Sequence, residues 1–466
     1  MHYISTRGRA ERLGFRDTIL AGLASDGGLY LPESWPQFSE GEIRAMRGKP
    51  YADIAITVMW PFVEAEIERA TFETIVRDAY TTFRHEAVCP LVQIRDNMFV
   101  LELFHGPTLA FKDVAMQLIA RLMDHVLTEA DERATIVGAT SGDTGGAAIE
   151  AFAGRDRTDM FILFPEGRVS PVQQRQMTSS TAANVQALAI DGNFDDCQAL
   201  VKAMFNHMEF RRSAKLSGVN SINWARIMAQ IVYYFTSSAA LGGPDRPISY
   251  SVPTGNFGDI FAGYCAKRMG LPIGDLVIAT NDNDILDRTI KTGVYEMRGV
   301  VKTTSPSMDI QISSNFERLL FEAADRDATY VANAMEQLKQ AHQFDLGEGV
   351  HRAIGSDFSA GRADVAQTAQ TIAQYHGNGG YLLDPHTAIG VHVASAPHYD
   401  PSVPMVVLGT AHPAKFPAAV EDAAGIHPAL PDWLGDLMDR EERFVPLPND
   451  LKMLETHILE QTRAAQ

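Results

Sequence analysis

The sequence predicts an α/β protein with two parallel-sheet units behind a mainly helical N-terminal region. After residue 92, short unbroken apolar segments such as MFVLELF and MFILFP alternate with helical patterns. Strands that are apolar on both faces are typical of parallel sheets covered by helices on each side. The 466-residue chain is also longer than one core usually supports. We therefore expect a helical region at 1–92 and α/β units at 93–240 and 241–466.

The elements can be assigned in order along the chain. Residues 1–92 show helices and turns with little strand. Apolar residues recur at three- and four-residue spacing over residues 113–127, which predicts a helix, and a longer helix is expected over 224–241. The predicted strands are MFVLELF, ATIVGAT, MFILFP, NVQALAI, ISYSVPTG, LVIATN and the start of PMVVLGTAHPAKFP.

Composition excludes several classes of protein. The formal net charge of −18 argues against a nucleic-acid-binding surface. No apolar segment is long enough for a membrane helix, and MHYISTRGRAERLGF lacks the apolar core of a signal peptide, so we expect a cytoplasmic protein without a membrane partner. The cysteines Cys89, Cys197 and Cys265 lack metal-ligand spacing, and no metal site is expected.

Three loops that follow predicted strands are candidates for ligand binding. GATSGDTGG (138–146) and PTGNFGD (253–259) each lead into a helix, where backbone N–H groups can bind an anion. LGTAHPAKF (408–416) carries Thr410 at a strand end, where a turn residue is the ordinary interpretation. None of the loops has the GxGxxG spacing of a dinucleotide site or the GK[ST] of a nucleotide P-loop.

Lys112 lies at the start of a predicted helix, after the apolar residues Leu109, Ala110 and Phe111. The positive end of the helix dipole and an apolar neighbourhood both disfavour a charged amine. A lysine of this kind can anchor an aldehyde cofactor covalently, and pyridoxal phosphate also needs a phosphate-binding loop such as PTGNFGD. Local sequence alone favours a lysine that extends to the surface, but the two features together favour the cofactor.

Several segments resemble the threonine synthase family, which comprises fold-type II pyridoxal-phosphate enzymes similar to tryptophan synthase β. HGPTLAFKD resembles the cofactor-lysine motif, and SSNFERLLFE within DIQISSNFERLLFE is also specific for the family. YISTRG, GLASDGGLYLPE, GATSGDTG, NSINWARI, PTGNFGD and GTAHPAKF occur in the family's order over nearly the whole chain.

The resemblance implies roles for individual residues. Lys112 matches the Schiff-base lysine and proton shuttle. The cofactor phosphate would be bound by the loop of Gly255, Asn256, Phe257, Gly258 and Asp259, and Thr410 would meet the pyridine nitrogen. The substrate carboxylate would contact Thr140, Ser141 and Thr144, and the substrate phosphate would contact Asn220, Ser221, Asn223 and Arg226. Arg226 is the preferred phosphate ligand because a guanidinium binds phosphate in a bidentate manner.

The implied activity is that of a lyase acting on phosphate, which converts O-phospho-L-homoserine and water to L-threonine and phosphate in the last step of threonine biosynthesis. Alternatives are an enzyme that eliminates or replaces at Cβ of serine-type substrates, a regulatory protein that retains the pocket, and a nucleotide-binding protein. The first needs no second phosphate site, the second does not need an intact Lys112, and the third lacks its motifs. A monomer is expected, with a dimer as the alternative.

Overall fold

The computed structural model describes residues 1–140 and 142–465. Its α-helices are α1 (Phe15–Ala21), α2 (Glu40–Arg44), α3 (Tyr51–Val63), α4 (Arg69–Tyr80), α5 (Lys112–Glu129), α6 (Asp143–Phe152), α7 (Pro171–Thr178), α8 (Phe194–Asn206), α9 (Met208–Ser213), α10 (Trp224–Ala240), α11 (Gly258–Arg268), α12 (Ile285–Thr292), α13 (Phe316–Ala323), α14 (Ala328–Ala341), α15 (Gly347–Gly355), α16 (Val365–Gly379), α17 (Pro385–Ala394), α18 (Pro417–Ala424) and α19 (Leu451–Gln461). Its strands are β1 (Tyr3–Ser5), β2 (Tyr30–Pro32), β3 (Leu91–Arg95), β4 (Met98–Glu102), β5 (Ala134–Ala139), β6 (Thr158–Pro165), β7 (Val185–Ile190), β8 (Leu216–Ser217), β9 (Ile248–Pro253), β10 (Ile273–Thr280), β11 (Val294–Glu296), β12 (Gln343–Asp345), β13 (Phe358–Arg362), β14 (Met405–Gly409) and β15 (Val445–Leu447).

Two larger sheets organise the molecule. The six-stranded sheet has the order β13-β10-β9-β14-β4-β3, and only its edge strand β3 runs antiparallel to its neighbour. The five-stranded sheet has the order β15-β7-β6-β5-β8 and is parallel throughout. Strand β6 is buried along its whole length, as expected for a strand with helices on both faces. The predicted α/β class with two parallel sheets is confirmed.

Each of the two larger sheets contains a strand from outside the chain segment that was predicted to form it. Strand β4 belongs to the six-stranded sheet with β9 and β14, although residues 93–240 were expected to form one unit. Strand β15 near the C-terminus pairs with β7 of the other sheet. Strand order depends on tertiary pairing, which a local hydrophobic pattern does not encode. The domain boundaries stay predictions, but they do not follow the sheets.

The N-terminal region packs on the centre of the molecule. It holds α1 to α4 and the short strand pair β1 and β2, and β3 begins at its end. Trp224, the first residue of α10, is buried against the rings of Tyr3, Trp35 and Phe62 from this region. Helix α10 also packs on α5 and α11, the two helices that begin at predicted cofactor residues. Among the described residues no helix combines the length and apolar character needed to cross a bilayer.

Candidate active site

The carboxyl ends of three neighbouring strands bring the predicted cofactor residues together. Strand β14 is parallel to β4 on one side and to β9 on the other. The loops after these strands therefore open at one edge of the sheet, where α/β proteins bind ligands. Lys112 follows β4, Thr410 follows β14 and Gly255–Asp259 follows β9. The Phe111 N–H donates to the Thr410 carbonyl at 2.9 Å, which fixes the first two loops to each other.

Lys112 is the first residue of α5, and its side chain is buried. Its Nζ lies 3.4 Å from Oδ2 of Asp143. Burial lowers the pKa of Lys112, Asp143 opposes this effect, and the nearby cations Lys415 and Arg226 lower the pKa further. The neutral amine is therefore more favoured at Lys112 than at an exposed lysine. A neutral amine is the form that acts as a nucleophile.

The loop after β9 forms a cup of backbone N–H groups that is a candidate anion site. Phe257 adopts a left-handed backbone conformation with φ of +64° immediately before α11. Within the described residues, no acceptor is bonded to the backbone N–H groups of Asn256, Phe257, Gly258 and Asp259. Successive free N–H groups at a helix N-terminus bind phosphate well. A Cβ on Gly255 would lie 2.7 Å from the Ser307 carbonyl oxygen, so this position requires glycine.

The carboxyl group of Asp259 is directed to tyrosines of α10. Its Oδ1 accepts a hydrogen bond from Tyr233, and Tyr234 donates to the Asp259 carbonyl at 2.9 Å. Burial raises the pKa of Asp259 to about 7, although the tyrosines and Lys112 oppose the shift. The backbone N–H is therefore the group of Asp259 that is left free for an anion, and partial protonation of the carboxyl group would reduce its repulsion of that anion.

Asn315 joins the cup to the segment predicted to bind the substrate phosphate. Its buried side-chain Nδ2 donates to the Asn256 carbonyl at 2.9 Å and to the Ser221 carbonyl at 3.1 Å. Its Oδ1 in turn accepts from the fully buried Arg318. The SSNFERLLFE segment thus holds two predicted binding loops in a fixed relation.

Arg226 is the one member of the NSINWAR segment with a buried charge and few partners. Its side chain makes one long hydrogen bond, from Nη1 to the Val219 carbonyl at 3.5 Å, and its buried Nε has no partner in the part of the chain that the structure describes. Burial lowers the pKa of Arg226 to about 10, and no carboxylate contributes to the shift. A buried guanidinium without an anion favours binding of an anionic ligand.

The other predicted residues of this segment differ in their surroundings. Asn223 caps α10: its Oδ1 accepts from the Ala225 N–H at 3.1 Å and its Nδ2 donates to the Ile19 carbonyl at 2.8 Å. Asn220 is exposed and Ser221 is half-buried. The structure thus engages Asn223 within the protein, and its predicted contact with substrate stays a prediction.

The loop after β5 is organised around a threonine hydroxyl. Thr140 Oγ1 accepts from the N–H groups of Gly142 and Gly145, each at 2.9 Å, at the start of α6. Thr144 is half-buried in the first turn of that helix, whereas Ser141 lies outside the described residues. Asp143 begins α6 and faces Lys112, so this loop adjoins the cofactor lysine.

Thr410 is buried, and its backbone N–H lies 3.3 Å from Thr387 Oγ1. Thr387 in turn donates to Asp384, the cap of α17. Among the described residues no group bonds to the Thr410 hydroxyl. That hydroxyl is therefore available to a ring nitrogen, as the prediction requires.

The assembled residues fit pyridoxal phosphate by their chemistry. A buried lysine, a cup of free backbone N–H groups and a free threonine hydroxyl lie at the ends of adjacent parallel strands. Three residues of the site have no predicted role: Asp143, Asn315 and Lys415. Each lies inside a segment that the sequence analysis had identified: GATSGDTGG, SSNFERLLFE or LGTAHPAKF. Their position close to predicted residues was therefore the only feature of the sequence that could have indicated them.

Family models match most of the chain. The model described as Threonine synthase N terminus matches residues 2–80, Pyridoxal-phosphate dependent enzyme matches residues 84–351, and Threonine synthase, C-terminal matches residues 387–458. The middle model covers more than half of the chain and contains both Lys112 and the cup.

Full-length relatives agree with these matches. A threonine synthase from Pseudomonas aeruginosa is 52% identical over 98% of both chains. The crystal structure of a PLP-bound threonine synthase from Brucella melitensis is 66% identical, covers 99% of this chain and 100% of its own, and superposes with a TM-score of 0.97. The yeast threonine synthase structure is 39% identical, covers 99% and 98%, and has a TM-score of 0.93. The chain therefore belongs to the pyridoxal-phosphate-dependent threonine synthase family.

Proposed function

We propose that this protein converts O-phospho-L-homoserine and water to L-threonine and phosphate. The observation that carries the proposal is the presence of two separate candidate anion sites near one buried lysine. The cup of free N–H groups suits the phosphate of the cofactor, and the guanidinium of Arg226 suits a second phosphate. A substrate that bears its own phosphate accounts for the second site.

Four features of the chain would hold the cofactor. Lys112 would anchor it covalently, the N–H groups of Gly255–Asp259 would bind its phosphate, and Thr410 would meet its pyridine nitrogen. Asn315 would keep the cup in place through the Asn256 carbonyl. When bound, pyridoxal phosphate supplies an electron sink for negative charge that develops beside the amino-bearing carbon.

Lys112 would also transfer protons. Once its amine is released by the incoming substrate, it can take the Cα proton and then transfer protons at Cβ and Cγ. A depressed pKa keeps a larger fraction of the amine unprotonated near neutral pH, so that it can act as a base. Asp143 holds this amine from the side of α6.

Substrate binding would use two loops. Arg226 would bind the phosphate in the substrate and after its loss from Cγ, with further contacts from Asn220, Ser221 and Asn223. Thr140, Ser141 and Thr144 would bind the α-carboxylate near the N-terminus of α6, whose dipole favours an anion. Asp143 lies in the same turn, with its Oδ2 3.4 Å from Lys112 Nζ, so the proposed carboxylate site would adjoin the reactive amine.

A coupled product assay tests the proposal. The holoenzyme receives O-phospho-L-homoserine, and released phosphate and threonine are measured together. We expect equal amounts, no product from Lys112→Ala, and, in the parent protein only, a link between cofactor and residue 112 that borohydride reduction makes permanent. Conversion of L-serine with no reaction of the phosphorylated substrate would favour the serine-type alternative and refute the proposal.

The cytoplasmic location and the monomeric state expected from the sequence stay predictions. Light scattering after gel filtration measures the molar mass in solution. A monomer has a mass of 51.1 kDa, and a dimer has twice that mass.

A further inference from the structure

Lys415 is a fully buried lysine at the edge of the candidate site. It ends the short 3-10 turn Pro413–Lys415 that follows β14. Its Nζ donates to the Thr108 carbonyl at 2.7 Å and to Gln176 Oε1 at 3.0 Å, and it lies 2.9 Å from Asp143 Oδ1. Three acceptors match the three N–H donors of a lysine ammonium group, so the structure holds this side chain in one orientation.

Asp143 is shared between Lys415 and Lys112. Its Oδ1 forms an ion pair with Lys415 and accepts a hydrogen bond from Gln173 Nε2 at 2.8 Å. Its Oδ2 lies 3.4 Å from Lys112 Nζ and 3.4 Å from Ser307 Oγ. One carboxylate oxygen is thus bound tightly by a fixed cation, and the other meets the reactive amine at long range.

Lys415 also contacts the segment that carries Lys112. The carbonyl of Thr108 accepts from Lys415, while the N–H and hydroxyl of Thr108 each donate to Asp113 at 2.7 Å. Asp113 is the residue next to Lys112 in the first turn of α5. Lys415 therefore joins the start of α5 to Asp143 at the start of α6.

We propose that Lys415 is a positioning residue that neutralises Asp143 and fixes its carboxylate, so that Asp143 orients the amine of Lys112 without holding it as an ammonium. A buried carboxylate with no other cation favours the protonated form of a neighbouring amine. A base that receives the Cα proton must begin as the free amine. This inference rests on the proposed function, because that function gives Lys112 its proton-transfer role.

The charges around Lys112 set the expected direction of change. Asp143 of α6 attracts the proton, whereas Lys415 and Arg226 of α10 disfavour it. Asp259 of α11 also interacts with Lys112. Burial alone would raise the pKa of Asp143, but Lys415, Lys112 and the hydrogen bond from Gln173 hold it well below its ordinary value. Asp143 therefore stays ionised, and the transferred proton remains on Lys112 Nζ.

Competitive acylation of the cofactor-free protein tests this inference without substrate. Trace acetic anhydride labels unprotonated amines, and peptide mass spectrometry gives the extent of labelling at Lys112 against pH. In Lys415→Met we expect the midpoint to rise by about one pH unit, with roughly tenfold less labelling near neutral pH. In Asp143→Asn the midpoint should fall. In the double variant, loss of Lys415 should have a smaller effect than in the parent.

Lys267→Met is the matched control, because Lys267 forms an ion pair with Asp357 at 2.7 Å and belongs neither to the cup nor to the group of Lys112, Asp143 and Lys415. Its Lys112 midpoint should equal that of the parent protein. The rate at which added pyridoxal phosphate attaches to Lys112 gives a second pH profile, which should move in the same direction. Lys415→Arg, which keeps the charge, should retain the parental midpoint.

An unchanged Lys112 midpoint in folded Lys415→Met would overturn the inference. If that variant does not fold, an unchanged midpoint in the near-isosteric Asp143→Asn would overturn it equally. The expected shifts in a protein that makes no threonine would refute the proposed function alone. Threonine formation with no shift would refute the role of Lys415 alone.

Discussion

Replacement of Arg226 by methionine should separate stability from activity. The substitution removes the guanidinium but keeps an unbranched side chain of moderate size in the core. If Arg226 binds the substrate phosphate, at least one charge-assisted hydrogen bond of about 1.5–3 kcal/mol is lost, and a bidentate contact loses more. A loss of about 3 kcal/mol corresponds to a decrease in kcat/KM of roughly 150-fold.

The cofactor- and ligand-free protein should respond in the opposite direction. Burial lowers the pKa of Arg226 from 12.5 to about 10, a difference of 2.5 pH units. At about 1.4 kcal/mol for each unit, burial of this charge lowers the free energy of unfolding by about 3 kcal/mol. Both values lie well above neutral pH, so the cost is present across the range from pH 6 to 8. Arg226→Met should therefore raise the free energy of unfolding by up to about 3 kcal/mol, less the packing that the longer side chain contributed.

Urea unfolding of the cofactor-free protein and steady-state kinetics of the holoenzyme measure the two effects. Inorganic phosphate should stabilise the parent protein and lose part of that effect in the variant, because a ligand of the folded state raises its stability by mass action. Arg246→Met, at an exposed arginine bonded to the Leu241 carbonyl, is the control for the loss of an arginine. A variant that is less stable and retains kcat/KM would show that Arg226 is a structural residue, and the reasoning would be refuted.

Three further substitutions test other parts of the site. Thr410→Asp places an acid where a neutral hydroxyl meets the ring nitrogen, and we expect more keto-acid side product by product analysis; identical product ratios would contradict this. Gly255→Ala forces a Cβ to within 2.7 Å of the Ser307 carbonyl, so stability should fall by about 1–3 kcal/mol in urea and retained cofactor should fall with it, and unaltered values would count against the cup geometry. Asp259 has a folded-state pKa of about 7 against an ordinary 3.8, so the parent protein should lose up to about 4 kcal/mol relative to Asp259→Asn as pH rises from 4 to 7 and little more above it. Urea unfolding of the cofactor-free pair at pH 5 and 8 measures this change, and a constant difference would exclude a raised pKa.

Local patterns predicted the elements better than their arrangement. The helix expected over 113–127 is α5 (Lys112–Glu129), and that expected over 224–241 is α10 (Trp224–Ala240). Apolar spacing determines such elements because each helix must bury one face. The placement of β4 beside β14 depends instead on contacts between residues some 300 positions apart, such as Val100 and Val407. No local pattern carries that information.

The candidate site shows the same division. Residues at strand ends, such as Lys112 and Thr410, could be identified because parallel strands open their ligand sites at one edge. Asn223 caps α10, a role that an asparagine before a helix often has, and its expected contact with the substrate stays a prediction. Asn315 and Lys415 act through contacts with segments distant in the chain, and a short motif does not reveal those contacts.

The balance of buried charge explains why these distant contacts matter. Lys112, Lys415 and Arg226 are buried basic side chains. Among the described acids that interact with Lys112, Asp143 is held in its ionised form, whereas Asp259 has a pKa near neutrality. Unpaired buried charge lowers the stability of the folded protein. An excess of buried positive charge is therefore tolerated when a bound anion neutralises it in the functional protein. The positive charge of Lys415 is balanced by the negative charge of Asp143 within the protein. Arg226 and the N–H groups of the cup then remain for two phosphates, and this division of charge fits a phosphorylated cofactor together with a phosphorylated substrate.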